Sequence, residues 1–586
     1  MARNGVVRSR AAVTASSLLL AAGPLEVSAE KEIDWQEARQ FWSFQLPRRS
    51  PPPEVRLRSW PRSDLDRFVL RRLEAAGLLP EPEVDRSTLI RRLSFDLTGL
   101  PPSAEELEAF VGNNDPRSYE RLVDALLDRP QFGERFASMW LPVVRFAEDQ
   151  AHQVGNNEKF FYPHAHHYRR WVIDAFNRDL PYDQFVRLQL AADHYGDKDL
   201  AALGLLGLGP QYYTRGRLDV LAEEWEDRVD TVTRGLLGLT VACARCHDHF
   251  FDPITTEDYH ALAGVFASTD VEKRKVAEHT LHVVKDVKVR DLHVFVRGNV
   301  EDKGPVIPRG FLTILAENGE REAFTGGSGR KELAEAIANP RNPLTARVMV
   351  NRLWGEIFGT PLVRSASNFG TTGERPSHPE LLDYLAERFS LEGWSIKALV
   401  REMVLSATYR QAATRREDNA LLAGMNRRRL SAEMMRDAML AASGELPSAD
   451  PGGPSLKVSD PGNLRRTVYG RISRKELNSF LRQFDYPDAN VHAAGRVVTT
   501  TPMQKLYLLN SPFVAERAAR LAAQAEDATV EEGVNLIFRR VLARLPDEEE
   551  RARSAGYFGE SAGQGDLDWA GFAQVLLCSN AFLYRD

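Results

Sequence analysis

Apolar residues recur along most of this chain at the three-and-four spacing of a helix buried on one face. Leu65, Phe68, Val69 and Leu73 share a face that Ser63 can cap and Gly77 can end. A second helical unit over 89–97 stops at Gly99 and Pro101-Pro102. A third begins at Ser103, where Ser-Ala-Glu-Glu is a capping box with Glu106 at the third helical position. Similar patterns predict helices over 119–127, 168–176, 182–190 and 225–239, which makes the first half an all-helical assembly. Beyond residue 326 helical spacing returns over 330–338, 343–358, 379–389, 396–405, 431–443, 512–523 and 530–542, interrupted by a strand candidate at 467–472.

Between about His279 and Gly310 the period changes. Val283-Val284, Val287-Lys288-Val289 and His293-Val294-Phe295-Val296 are β-branched and partly alternating, which predicts a small β element. Gly-Gly-Ser-Gly at 326–329 reads as a flexible joint, and the Pro- and Arg-rich stretch 47–61 as an extended linker. The expected fold is mainly α: two helical domains with a small β element between them and short strands in the second. The expected order is a linker over 30–62, a helical domain over 63–278, a β-containing connector over 279–325 and a helical C-terminal domain over 326–586.

The first 29 residues stand apart from that fold. Arg3, Arg8 and Arg10 precede a short apolar run, 11–22, which is followed by Val27-Ser28-Ala29, the order of a secretory signal peptide. Export, to the periplasm or the exterior, is the expectation. The run is shorter than the roughly 20 residues a membrane-spanning helix needs, so no transmembrane segment is expected. Composition adds that the chain is ordinary globular protein, with 43% hydrophobic and 27% charged residues among 586. Its 76 basic and 82 acidic residues leave a charge of -6, which points away from nucleic acid as a partner. Three cysteines in an exported chain of this length are too few for a disulfide scaffold and call for a chemical explanation.

Cys243-Ala-Arg-Cys246-His247 has the spacing of a c-type haem attachment site: two thiols to bond the porphyrin edge and an imidazole to reach the iron. His247 is the expected proximal, metal-bound ligand. His152 and His166 are the preferred candidates for the second axial position, because both follow or lie in a Gly-, Asn- and Pro-containing segment, with His164, His167, His194 and Met139 also available. Competing readings of the same segment are a structural zinc site, which lacks a fourth local ligand, and a redox dithiol or local disulfide. Asp248, His249 and Asp252 continue the motif and suit either orientation of His247 or a metal-assisted hydrolase. In the C-terminal half Arg347, Asn351, Arg352 and Trp354 fall at helical spacing, and Arg427-Arg428-Arg429 and Arg465-Arg466 add local charge, suited to an anion, a partner's acidic face or simple structural ties. No G-x-S-x-G, H-E-x-x-H or phosphate-binding loop is present.

The chain resembles the planctomycete cytochrome-associated family, in which two domains of unknown function occur in tandem. In the first domain the resemblance rests on Leu93-Ser-Phe-Asp-Leu-Thr-Gly-Leu-Pro-Pro102, Trp171-Val-Ile-Asp-Ala-Phe-Asn177, Leu180-Pro-Tyr-Asp-Gln-Phe-Val186 and the run from Cys243 through Pro253. In the second it rests on the run from Asn342 to Trp354, on Phe369-Gly370, Pro376-Ser-His-Pro379, Ser406-Ala-Thr-Tyr-Arg410 and Thr499-Thr-Thr-Pro502. The resemblance implies export and association with c-type cytochrome modules. The commoner family arrangement puts a further cytochrome domain with its own CxxCH ahead of these two; this sequence has a single CxxCH. The expected function is therefore an exported monohaem protein in electron transfer or haem-dependent redox chemistry, served by a separate redox partner. The alternatives are a secreted binding or scaffold protein with a local Cys243–Cys246 disulfide, and the metal-assisted hydrolase.

Overall fold

The computed structural model describes residues 33–150, 161–212, 215–316, 318–449, 452–561 and 567–586. The first long helix, Asp64–Ala75, starts at a capping box in which the Ser63 side chain and Asp66 exchange bonds with each other's backbone, and it buries Leu65, Phe68, Val69 and Leu73 as the spacing predicts. Asp85 caps Arg86–Thr98, which Gly99 ends in the left-handed region (φ 71°). Ser103 and Glu106 form the predicted reciprocal box on Ala104–Val111.

Two further helices of this half, Pro130–Val143 and Thr256–Ala267, are not among those predicted, and the second lacks the amphipathic signature. Every residue from Asp258 to Ala267 is buried, so no polar face marks the period. The helix predicted over 225–239 runs instead over Leu218–Val232 and then widens into one π-type turn, Thr233–Leu237, closed by Gly238 at φ 62°. A Cβ on Gly238 would meet the Phe369 ring at 2.9 Å, so the turn brings the two halves of the chain into close approach.

The β element lies between the two helical parts. Thr269–Val276 pairs antiparallel with His279–Asp286, and Leu292–Phe295 with Lys303–Ile307. Thr269–Val276 belongs to the stretch expected to be helical; its sequence, TDVEKRKV, has too little apolar alternation to announce a strand. The C-terminal part is helical, with one short pair, Arg428–Arg429 against Tyr584–Arg585. The strand candidate at 467–472 is not a strand. Asp437 takes both the Thr467 amide (2.8 Å) and its hydroxyl (2.6 Å) and holds Thr467–Tyr469 as a 3₁₀ turn. Gly-Gly-Ser-Gly at 326–329 is a tight turn in which Ser328 is fully buried and Asp286 accepts its amide at 3.2 Å. The stretch before residue 62 also packs on the body: Trp42 lies against Phe369, and the Gln45 carbonyl accepts from Arg347 at 2.5 Å.

Trp35–Asp586 forms one compact unit, and its largest apolar cluster runs from Phe44 to Ala543 through both helical parts. A second cluster, mostly from 430–583, also takes in Phe95 and Ala147. Polar ties cross the same boundary. Buried Asp66 accepts from Ala407 N (2.9 Å), Thr408 N (2.8 Å) and Thr408 Oγ1 (2.7 Å), as well as from Arg62 N and Ser63 N of its own end. Asp96, equally buried, accepts from Tyr409 Oη, Arg428 and Arg585 at 2.8 Å each. Among the described residues no helix is long and apolar enough to cross a membrane.

Removing the Asp66 carboxylate would orphan two buried amides and a hydroxyl of the C-terminal part. Asp66→Ala is expected to lower the unfolding free energy by roughly 3 kcal/mol. In urea titrations this appears as an earlier midpoint; an unchanged midpoint would show that the tie contributes nothing.

Candidate functional site

The CxxCH segment follows the π-type turn. Val241–Arg245 is a 3₁₀ helix whose Val241 and Ala244 are buried, while Cys243, Cys246 and His247 are exposed. Cys243 lies within this turn and Cys246 is the residue that ends it. Both cysteines are free thiols. Cys246 Sγ stands against Gly298 in the connector (φ 77°), where an added Cβ would lie 2.4 Å from the sulfur.

Arg245, between the thiols, points the other way and pairs with Glu223 at 2.9 Å and with Glu226. Burial works against its charge, but the Glu223 bond and the negative neighbours outweigh it and hold the guanidinium above its ordinary value. The motif is thus anchored by its middle residue and presents its flanking thiols to solvent.

His247 Nδ1 lies 2.7 Å from the Asp248 carbonyl oxygen. A carbonyl only accepts, so Nδ1 carries the proton and Nε2 keeps its lone pair on an exposed ring. The ring packs on Phe250 with centroids 4.2 Å apart. Phe250 and its neighbour Phe251 are 80% and 67% exposed, an uncommon cost for two adjacent phenylalanines beside a pair of thiols.

Asp248, His249 and Asp252 have structural partners. Asp248 accepts from the Thr256 amide (2.7 Å) at the start of Thr256–Ala267. His249 Nδ1 accepts the amides of Phe251 and Asp252, which leaves Nε2–H to donate to Thr240 Oγ1 at 3.1 Å. Burial lowers the His249 pKa, with Asp252 opposing the shift. Asp252 accepts from the Thr371 amide (2.6 Å) and hydroxyl (2.8 Å), fastening the motif to the C-terminal part. Among the described residues no group of three or more His, Cys, Asp or Glu side chains is arranged to hold a metal ion, so neither the zinc nor the hydrolase alternative has a preassembled ligand set.

The axial-ligand candidates fare differently. His152 lies outside the described residues. His166 opens the helix His166–Asn177 and lines a cavity of about 430 Å³ with His164, His167 and His279, none of whose walls comes from the CxxCH segment. His166 and His167 have ring centroids 4.2 Å apart, His167 and His279 4.7 Å, and His164 and His282 5.8 Å. Sequence reading names His164, His166 and His167 but not their partners on the strand His279–Asp286, because only the folded hairpin brings the two segments together. Of the helical-spacing set in the C-terminal half, Arg347 pairs with Asp383, Asn351 clamps the Val363 backbone in both directions, and Trp354 stacks on Phe358. These three are structural ties.

A mainly helical chain with an exposed thiol, thiol and imidazole motif at the seam between two parts is the class of protein that fold and site define. Residues 64–271 match the profile of one protein of unknown function, DUF1549, and residues 329–558 that of another, DUF1553. The chain belongs to the family that carries these two domains in tandem, in the order its motifs imply. Comparison with curated proteins and with solved structures gives no match.

His166 in this cavity and His282 beside His164 are expected to make stability pH-dependent. Burial pushes His166 down to about 4, helped by His167, Arg169 and His164, and pushes His282 down to about 4, helped by Lys273, His164 and His167. Their folded pKa values lie below the unfolded value of about 6.5, so the unfolded chain binds more protons in that window. The contribution is complete above about pH 6.5 and is lost as pH falls toward 4. The melting temperature of His166→Gln/His282→Gln should accordingly fall less than the wild type's between pH 7 and pH 4.5; parallel curves would refute this.

Proposed function

We propose that Cys243, Cys246 and His247 form a surface attachment site for one haem c, and that this exported protein exchanges single electrons with a separate redox partner. The observation that carries the reading is the fixed tautomer of His247: Nδ1–H donates to the Asp248 carbonyl, which leaves Nε2 available as a ligand. A metal-bound imidazole almost always donates its other nitrogen to such an acceptor. Free, exposed sulfurs at 243 and 246 support the same reading, because thioether formation needs both accessible. Phe250 and Phe251 supply apolar area beside them. Haem iron, when bound, supplies one-electron redox chemistry.

The protein's own residues then have defined tasks. Cys243 and Cys246 provide the covalent anchors, Asp248 orients the imidazole through its carbonyl, Arg245 fixes the turn through Glu223 and Glu226, and Asp252 holds the following loop. Export rests on the order of charged, apolar and small residues in 1–29, a leader that delivers the chain to the compartment where such attachment occurs.

Expression with the leader in a host that matures c-type cytochromes should yield a coloured protein with a Soret band, the mass of one haem added and residues 1–29 removed. Cys243→Ala/Cys246→Ala should lose both colour and added mass while keeping its fold by circular dichroism. A colourless wild type of apoprotein mass, in a host that matures a control cytochrome, would overturn the reading in favour of a dithiol.

A further inference from the structure

The cavity of about 750 Å³ is walled by the helix Pro130–Val143 of the first part and by the helix Thr345–Phe358, the stretch 426–433 and the stretch 484–498 of the second. Nine arginines line it against three carboxylates, Glu356, Glu433 and Asp485. Those three are already engaged by Arg135, Arg496 and Arg429. Arg428 and Arg585 share the single carboxylate of Asp96. Arg466 pairs with Glu134 and Asp437.

Among the described residues Arg352 makes no ion pair with a carboxylate. It is 6% exposed, and its bonds go to neutral oxygens: Nη1 to the Ala494 carbonyl (3.2 Å), Nη2 to the Arg234 carbonyl (3.1 Å) and to Ser367 Oγ (3.2 Å). Its Nε–H bonds nothing, and the same is true of Nε on Arg135, Arg428, Arg429 and Arg585. Buried polar groups are ordinarily satisfied and buried charges ordinarily paired. An arginine keeps its proton, so an anion entering the cavity would supply the ion-pair partner that Arg352 lacks. Burial lowers Arg352 to about 10 against the opposing pull of Tyr182 and Glu356, and lowers Arg585 to about 9, where Arg428 shares its Asp96 partner.

Size and wall chemistry narrow the ligand. The volume lies in the range of small-molecule sites and far exceeds a single inorganic oxyanion. Met139, Val143 and Phe484 supply apolar wall, and Arg427 lines the cavity with its side chain 53% exposed, paired with Asp586 and lying over the Tyr584 ring. We propose that this cavity binds a small organic anion bearing two or more oxyanion groups, carboxylate or phosphate, with Arg352 as its buried counter-charge and Arg427 as its outer contact. The site is independent of the CxxCH motif, and neither reading depends on the other.

The test is titration calorimetry and thermal shift on the full chain with citrate as tricarboxylate probe and pyrophosphate as phosphate probe, against sodium chloride at matched ionic strength. We expect one of the two to bind at a single site and raise the melting temperature beyond the chloride control; the tighter probe identifies the oxyanion. Affinity should fall roughly tenfold or more in Arg352→Gln and by less in Arg427→Gln, which is exposed and keeps the fold. Binding no better than chloride for both probes would overturn the proposal. So would affinities unchanged in Arg427→Gln and in a folded Arg352→Gln, as expected if these arginines only tie helices together.

Discussion

A carboxylate taken out of water has to be given donors, and in this protein the donors for three of them come from the far half of the chain. Asp66 is satisfied by the amides of Ala407 and Thr408, Asp96 by Tyr409, Arg428 and Arg585, and Asp252 by Thr371. Each acid belongs to the first family domain and every donor but Arg585 to the second. The large apolar cluster that spans both parts is non-directional and would tolerate slippage; these three points would not. They fix the register of one domain on the other, and the placement of the CxxCH loop follows from the third.

Much of the helical architecture is legible because its signals are local. Ser63 and Ser103 each begin a capping box, Gly99 ends a helix, and the Leu65, Phe68, Val69 and Leu73 face appears where its spacing puts it. What escapes is what tertiary burial overrides. The helix Thr256–Ala267 has no polar face because the molecule surrounds it, and the strand Thr269–Val276 looks charged because one face meets water. The β-branched run at 467–472 bends into a turn because Asp437 offers better bonds than any strand partner does.

The same division holds at the site. Spacing alone singles out Cys243, Cys246 and His247, and the family profiles extend over both flanking domains. Nothing in the spacing reveals which nitrogen of His247 carries the proton, since that depends on the turn that brings the Asp248 carbonyl to 2.7 Å. Nor does it reveal that Asp248, His249 and Asp252, which look like a ligand set, are consumed as helix cap, loop brace and interdomain bolt. The histidines at 164–167 are visible, yet their neighbours at 279 and 282 become neighbours only through the antiparallel pairing of the connector.

The contact between Cys246 and Gly298 joins that connector to the motif. The Cys246 sulfur meets a left-handed turn some fifty residues further along the chain. The turn between the strands Leu292–Phe295 and Lys303–Ile307 is thus part of the immediate surroundings of one thiol of the motif. Only a residue without a side chain fits at 298 beside that sulfur, so the connector shapes the surface on which anything bonded to Cys246 would rest.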